Sequence, residues 1–322
     1  MASPNATFTE MVTTTLRNHG KELTDNVSDH NALLRYLKER GNIRTESGGY
    51  EIALPLAYAE NSTYQRFSGL DTLDTSASDI ATAAKYDWAQ AAIHVVSSGR
   101  ELMMNNGPER MINLVKAKIA NAMDTAANNM SVDIYSDGAL SNQIGGLSLL
   151  IQAAGTGTVG GIVSGTYTFW KNKFREMAGT GSWSKSTIKG EFNTLWLDCV
   201  RGNDKPDLIV ASHDVFSAYE ESLQDLQRYV DSSKKATVGF ESLKYKTADV
   251  IFDNNTNFGT TAELAYFLNT KHLFLIQHKE AQWTQDDEKK PTNQDAVIVP
   301  MYWMGQLCTD NRALQGRLYD AA

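Results

Sequence analysis

Gly155, Gly157 and Gly160 stand in the spacing G-x-G-x-x-G that cradles the pyrophosphate of a dinucleotide. That chemistry needs a strand leading in and a helix opening at once, so that backbone amides face the phosphates. Here Gly161, Ile162, Val163, Ser164 and Gly165 follow, a poor helix start. The spacing therefore predicts a loop, and a nucleotide-dependent enzyme using 155–160 is the distant alternative. Asp253, Asn255 and Asn257 open like a calcium loop. Phe258 then stands where glycine must turn the chain, and Leu264 where a bidentate acid is needed, so a polar turn is expected. Ser212, His213 and Asp214 have the residue types of a catalytic triad but are consecutive. Neighbouring side chains cannot align nucleophile, base and orienter in series, so Ser212 or Asp214 is expected to cap a helix.

The six histidines (His19, His30, His94, His213, His272, His278) include no HExxH pair, and no Walker A sequence occurs. Cys199 and Cys308 are far apart and have no metal-ligand spacing, which predicts reduced structural thiols. Asp286, Asp287 and Glu288, ahead of Lys289 and Lys290, predict a solvated loop tip. No catalytic, cofactor-binding or metal-binding residue is predicted.

The elements that would position any site form a mixed set. Residues 1–47 are polar, with one short helix expected over 31–40 through Leu33, Leu34 and Leu37. Such a segment is expected to dock on something else. Tyr50, Ile52 and Leu54 alternate with Glu51 and Ala53 as a strand, and Pro55 argues against a central position. A second strand is expected over 85–96. The polar stretch between them carries Tyr64, Phe67, Leu70 and Leu73, which predicts a long projecting hairpin with too little core to stand alone. Its exposed aromatics then need a partner surface.

A spine helix is expected over 108–130, capped by Asn105 or Asn106, with Pro108 and Glu109 in the first turn. Its inward stripe would run through Met111, Val115, Ile119, Met123 and Ala126. Further helices are expected over 187–200 and 213–228, a buried strand over 206–211, and strands over 250–252, 267–277 and 296–307. Strands and helices do not alternate regularly, so the fold class is α+β.

The 322 residues can bury a substantial core. Thirty Lys plus Arg against 38 Asp plus Glu give a formal charge of -8, which argues against a dedicated nucleic-acid binder. The N-terminus has no basic region followed by an apolar stretch, and no run approaches spanning length, so no membrane partner is expected.

Several segments, in order, resemble the major capsid proteins of tailed bacteriophages with the lambdoid coat-protein fold. They are Asp87-Trp88 through Ser98-Gly99-Arg100-Glu101, then Gln143-Ile144-Gly145-Gly146-Leu147, then Tyr266-Phe267-Leu268-Asn269-Thr270. The last is Trp303-x-Gly305-x-Leu307 with Asn311-Arg312 and Gln315-Gly316. The resemblance covers nearly the whole chain. It implies an N-terminal arm (1–47), an extended β-hairpin loop with flanking strands (48–105) and a peripheral domain holding the spine helix (106–190). An axial domain (191–265), peripheral return strands (266–305) and a C-terminal segment joining the axial domain (306–322) complete it.

The implied function is a non-enzymatic shell subunit that forms hexamers and pentamers around double-stranded DNA. It would assemble in the host bacterial cytoplasm and reside in the virion. Its implied partners are copies of itself, a scaffolding protein, a portal protein and possible decoration proteins, with no cofactor. An encapsulin-type nanocompartment shell is the nearer alternative.

Some relatives carry a long N-terminal scaffolding segment. The short stretch before the hairpin leads to the expectation of a separate scaffold. Some relatives cross-link through a lysine on the loop. None stands between Glu60 and Ala84, and Lys85 lies at the base, so a shell without covalent cross-links is expected. Arg66 is the only cation between Glu60 and Ala84. Two readings of it stand: a pair with an acid of a neighbouring subunit beside Tyr64 and Phe67, or a solvated arginine.

Overall fold

The computed structural model describes residues 32–104, 114–177, 184–224, 242–253, 264–285 and 289–320. The arm before residue 32, the expected cap and first turn of the spine helix, most of the Asp253 turn and the triplet 286–288 lie outside them.

Helix α1 (Ala32–Glu39) forms where the leucine spacing places it, with Leu33, Tyr36 and Leu37 buried on one face. It docks on its own chain. The Tyr36 hydroxyl donates to the Asp207 carbonyl at 3.4 Å, and the Asn42 amide donates to the Thr270 carbonyl at 2.7 Å. Strand β1 (Ile43–Glu46) then enters a sheet, which its single apolar residue did not announce.

The expected hairpin exists, in corrected form. Strand β2 (Ile52–Ala57) pairs antiparallel with β3 (Ala81–Tyr86), from Ile52 opposite Tyr86 to Ala57 opposite Ala81. Pro55 is accommodated because this sheet has only two strands. The expected strand over 85–96 is two strands. After Asp87, β4 (Ala89–Ser98) leaves the hairpin and pairs with β13 (Ala296–Thr309). The buried positions mark the break: Ala84 and Tyr86 before it, Ala89, Val95 and Ser97 after it. Even positions give way to odd ones, and one residue of slip reverses every face of a strand.

The strand expected over 267–277 also divides. Strand β11 (Leu264–Leu268) lies between β14 (Gly316–Tyr319) and β8 (Leu208–Ala211) in a six-stranded sheet of order β7-β14-β11-β8-β10-β9. Here β7 is Lys173–Glu176, β9 is Ser242–Tyr245 and β10 is Ala248–Phe252. The Asp207 carboxylate accepts from the Thr270 amide at 2.8 Å and its hydroxyl at 2.6 Å, fixing a 3-10 turn over Thr270–His272. The chain then continues as β12 (Leu273–Gln285) in a second sheet of order β1-β12-β13-β4. All four residues of β8 are buried, as its unbroken apolar run requires.

After the short helix α2 (Gly99–Met104), the spine helix α3 is described over Leu114–Asp133, about 30 Å long at the usual rise. Its buried stripe is Ala122, Ala126 and Met130, spaced by four, and Ala122 packs with Val95, Val299 and Met301 of the sheet. Met123, expected inward, lies one residue round the helix and is exposed. The Lys118 ammonium pins this helix to the sheet through the Val96 carbonyl at 3.1 Å and to α2 through Glu101 at 2.7 Å.

A single-turn helix α4 (Leu147–Leu150) follows the Gly145-Gly146 step. Helices α5 (Ile188–Cys199) and α6 (His213–Gln224) cover the six-stranded sheet, burying Phe192, Leu195, Trp196, Val215 and Tyr219. Two cores result. One joins α1, the hairpin base and the four-stranded sheet; the other lies under α5 and α6. The mixed architecture is the α+β class expected. Among the described residues no helix is long and apolar enough to cross a membrane.

Candidate self-association surface

The hairpin is anchored at its base and bare at its tip. Ile52, Leu54, Ala84 and Tyr86 turn into the core. The Tyr86 hydroxyl donates to the Thr309 carbonyl at 2.7 Å, and burial pushes that phenol far above its ordinary pKa. Lys85 bonds Glu51 at 2.5 Å, and the Trp88 indole donates to the Gly49 carbonyl at 3.0 Å.

Beyond Ala57 and Ala81, residues 58–80 contain no strand. They are held by short-range polar bonds. The Asn61 carboxamide oxygen accepts from the Thr63 amide at 3.0 Å and from the Ser78 hydroxyl at 3.2 Å. The Ser68 amide donates to the Asp71 carboxylate at 2.8 Å, and the Ser76 amide to Asp74 at 2.9 Å. These bonds shape a loop and bury nothing. Tyr64 is 82% exposed, Phe67 63%, Leu70 is fully exposed, and Arg66 and Leu73 are exposed beside them. Tyr64, Arg66 and Phe67 thus share one solvent-facing tip.

The described residues with chemical spacing make contacts within the fold. The segment 155–166 makes a small two-stranded turn, β5 (Thr158–Val159) with β6 (Ile162–Val163), followed by a 3-10 turn over Thr168–Trp170 and not by an α-helix. Gly160 has φ +58°, and a Cβ there would meet Ala84 at 2.9 Å and the Tyr86 ring at 3.2 Å. Glycine is required for close packing on the hairpin base. The Arg312 guanidinium is bonded against this loop. Nε donates to the Leu150 carbonyl at 2.5 Å, and its two terminal nitrogens donate to the Ser164 hydroxyl and the Thr156 carbonyl, each at 3.1 Å. Burial lowers its pKa to about 10, so it stays charged at neutral pH.

The Ser212 hydroxyl accepts from the Leu264 amide across the sheet at 3.3 Å, while His213 and Asp214 are exposed. Ser212 stands at the N-cap position expected of it or Asp214, its carbonyl accepting from the Phe216 amide at 2.9 Å, while its hydroxyl serves the strand contact. Asp253 accepts from the Tyr135 hydroxyl at 2.7 Å, and the remaining positions of its loop lie outside the described residues.

His272 bonds Asp310 at 2.7 Å, His94 packs edge-on to Tyr302 and His278 to Trp88. His19 and His30 lie outside the described residues. Both cysteines are free and buried, and burial raises Cys199 to about 12 and Cys308 well above the thiol range. No group of three potential metal ligands occurs among the described residues.

Sequence reasoning passed over one exposed group. Tyr167 and Phe174 are exposed, and Phe169 bridges Tyr58 at 5.6 Å and Tyr167 at 6.2 Å between ring centres. The signal was present in Tyr167-x-Phe169-Trp170, directly after the glycine-rich stretch.

No family model and no curated protein matches the chain. Solved structures do. The chain matches the capsid asymmetric unit of cyanophage A-1(L) with a TM-score of 0.69 at 14% identity, covering 93% of this chain and 95% of that one. This chain has the phage capsid-protein fold. The capsid of the native GTA particle shares it at TM-score 0.64 and 10% identity, over 94% and 92% of the two chains. So does the holo-SrpI encapsulin complex from Synechococcus elongatus, at TM-score 0.54 and 6% identity over 99% and 95%. Within this capsid fold, the hairpin tip is one place where several large apolar side chains stand exposed together.

Proposed function

We propose that this chain is the major capsid protein of a tailed bacteriophage, a non-enzymatic subunit that forms hexamers and pentamers and closes an icosahedral shell around double-stranded DNA. The observation that carries this reading is the hairpin: a rooted base, and a tip that exposes Tyr64, Phe67, Leu70 and Leu73 without a core of its own. Large apolar side chains gathered on a projecting element are stabilised by burial against another surface. Such an element gives each subunit contact area that its own body cannot supply. Closed symmetry then multiplies weak contacts. The formal charge of -8 suits a wall that encloses DNA without gripping it. Scaffolding and portal proteins are the partners this role requires, with decoration proteins as possible additions. The virion is its location, after assembly in the host cytoplasm.

Tyr64, Arg66 and Phe67 form the proposed contact with a neighbouring subunit. Arginine and aromatic side chains are enriched at such interfaces.

The test is made on particles. Shells isolated from the producing cell are treated with nuclease, opened, and analysed for contents. Protected double-stranded DNA supports the capsid reading. Shells holding a protein cargo and no DNA move the chain to the encapsulin reading. Absence of any shell from the producing cell, where its assembly partners are present, overturns both.

A further inference from the structure

The hairpin tip and a strip near the hairpin base have opposite charge. Residues 58–80 contain Glu60, Asp71, Asp74 and Asp79 against the single cation Arg66. Between Asp137 and Glu176 the chain contains no acid at all, and its three cations are Lys171, Lys173 and Arg175.

The structure gathers these cations at an edge. Strand β7 is the outer strand of the six-stranded sheet; β14 pairs with one side, and among the described residues no strand pairs with the other. Arg175 is engaged by Glu191. Lys173 is exposed, and the Lys171 ammonium lies 5.5 Å from the Phe174 ring centre. Phe174 is 39% exposed and Tyr167 51%. Tyr167 leads through Phe169 to Tyr58, where the hairpin tip departs.

We infer that this strip, Tyr167 with Lys171, Lys173 and Phe174, is the surface on which the acidic, aromatic hairpin tip of a second copy docks. The inference rests on the shell-subunit reading and names the acceptor that the reading leaves open. Three features support it. Charge is complementary, which favours the encounter and fixes its register. Aromatic side chains stand on both faces, as in the centres of protein interfaces. Donor and acceptor are also different surfaces of one chain, the strip reaching the hairpin at Tyr58 through Phe169. A tip that seats on the base of the next copy makes a head-to-tail contact, and such contacts close into rings when the rotation allows. An exposed sheet edge is also a hazard unless something covers it, and a neighbour's tip would do so.

The experiment uses the full chain and charge reversal. One variant carries Lys171→Glu with Lys173→Glu; a second carries Asp71→Lys with Asp74→Lys; a third combines all four. Sedimentation and electron microscopy measure the fraction in shells, and thermal melting checks that each variant folds. Each pairwise reversal is expected to lower the shell fraction by about tenfold, since like charges then face each other. The combined variant is expected to recover most of it.

Asp71→Asn with Asp74→Asn keeps an acceptor oxygen for each turn and removes only charge, so it separates charge from tip shape. Assembly of the reversed lysine variant at the unmodified level overturns the inference and leaves the shell reading intact. So does failure of the combined variant to recover when it melts normally. An unmodified chain that never forms shells overturns both.

Discussion

Arg312 takes a guanidinium into the interior and spends its bonds on Leu150, Thr156 and Ser164. The residue is fully buried, and its loss would leave two carbonyls and a hydroxyl without that partner. Arg312→Ala is expected to destabilise the fold by about 3 kcal/mol, read as a lower denaturant midpoint. Loss of shells in that variant would then follow from loss of the loop under the hairpin base.

His272 offers a test in pH. Its bond to Asp310 raises its pKa, with burial opposing. A raised folded value means the contribution is complete below the unfolded histidine value, about 6.5, and is lost as pH rises through the folded value. Melting curves at pH 5.5 and 8.5 should therefore differ less in Asp310→Asn than in the unmodified chain; an equal difference would remove His272 from the account. The Arg312 pair of roles, a surface-type residue type in a buried place, was not legible from its own neighbours, Asn311 and Ala313. Its three acceptors lie about 150 residues away.

At the scale of elements, the hairpin separates folding from assembly. Its tip residues are exposed, so Tyr64→Ala with Phe67→Ala should change monomer stability by less than about 0.5 kcal/mol. The same double variant should form few or no shells, because aromatic anchors dominate interface energy. Unchanged shell yield would dismiss the tip as a contact. Arg66→Ala tests the third member, and normal assembly would leave it a solvated arginine.

The hairpin was legible because alternation over 50–54 and a polar stretch with isolated aromatics are local patterns. Its second strand was misjudged because β3 and β4 are separated only by Asp87 and Trp88. The residue types run on across that step, while burial switches from even to odd positions and pairing moves from β2 to β13. The same holds for β11 and β12, which a short turn fixed by Asp207 directs into different sheets.

At the scale of the molecule, the expectation is a shell held by non-covalent contacts. No lysine lies between Glu60 and Ala84, and Lys85 is committed to Glu51 at the base. Purified shells boiled in detergent should run as monomer bands, and a ladder of covalent oligomers would refute this. With two cysteines that are both buried, reducing agent should leave the pattern unchanged.

The amino-acid sequence by itself determined the α+β class, the main helices, the projecting hairpin with its exposed aromatics, and the lack of an α-helix start after 155–160. These depend on periodicity, turn residues and spacing, which act over a few neighbours. Only the tertiary structure decided which strand joins which sheet, that the glycine-rich loop is a socket for Arg312, and that Lys171 and Lys173 stand beside and on the edge strand β7. Those outcomes depend on contacts between distant segments, and partners brought together by folding leave no mark in the local pattern of either one.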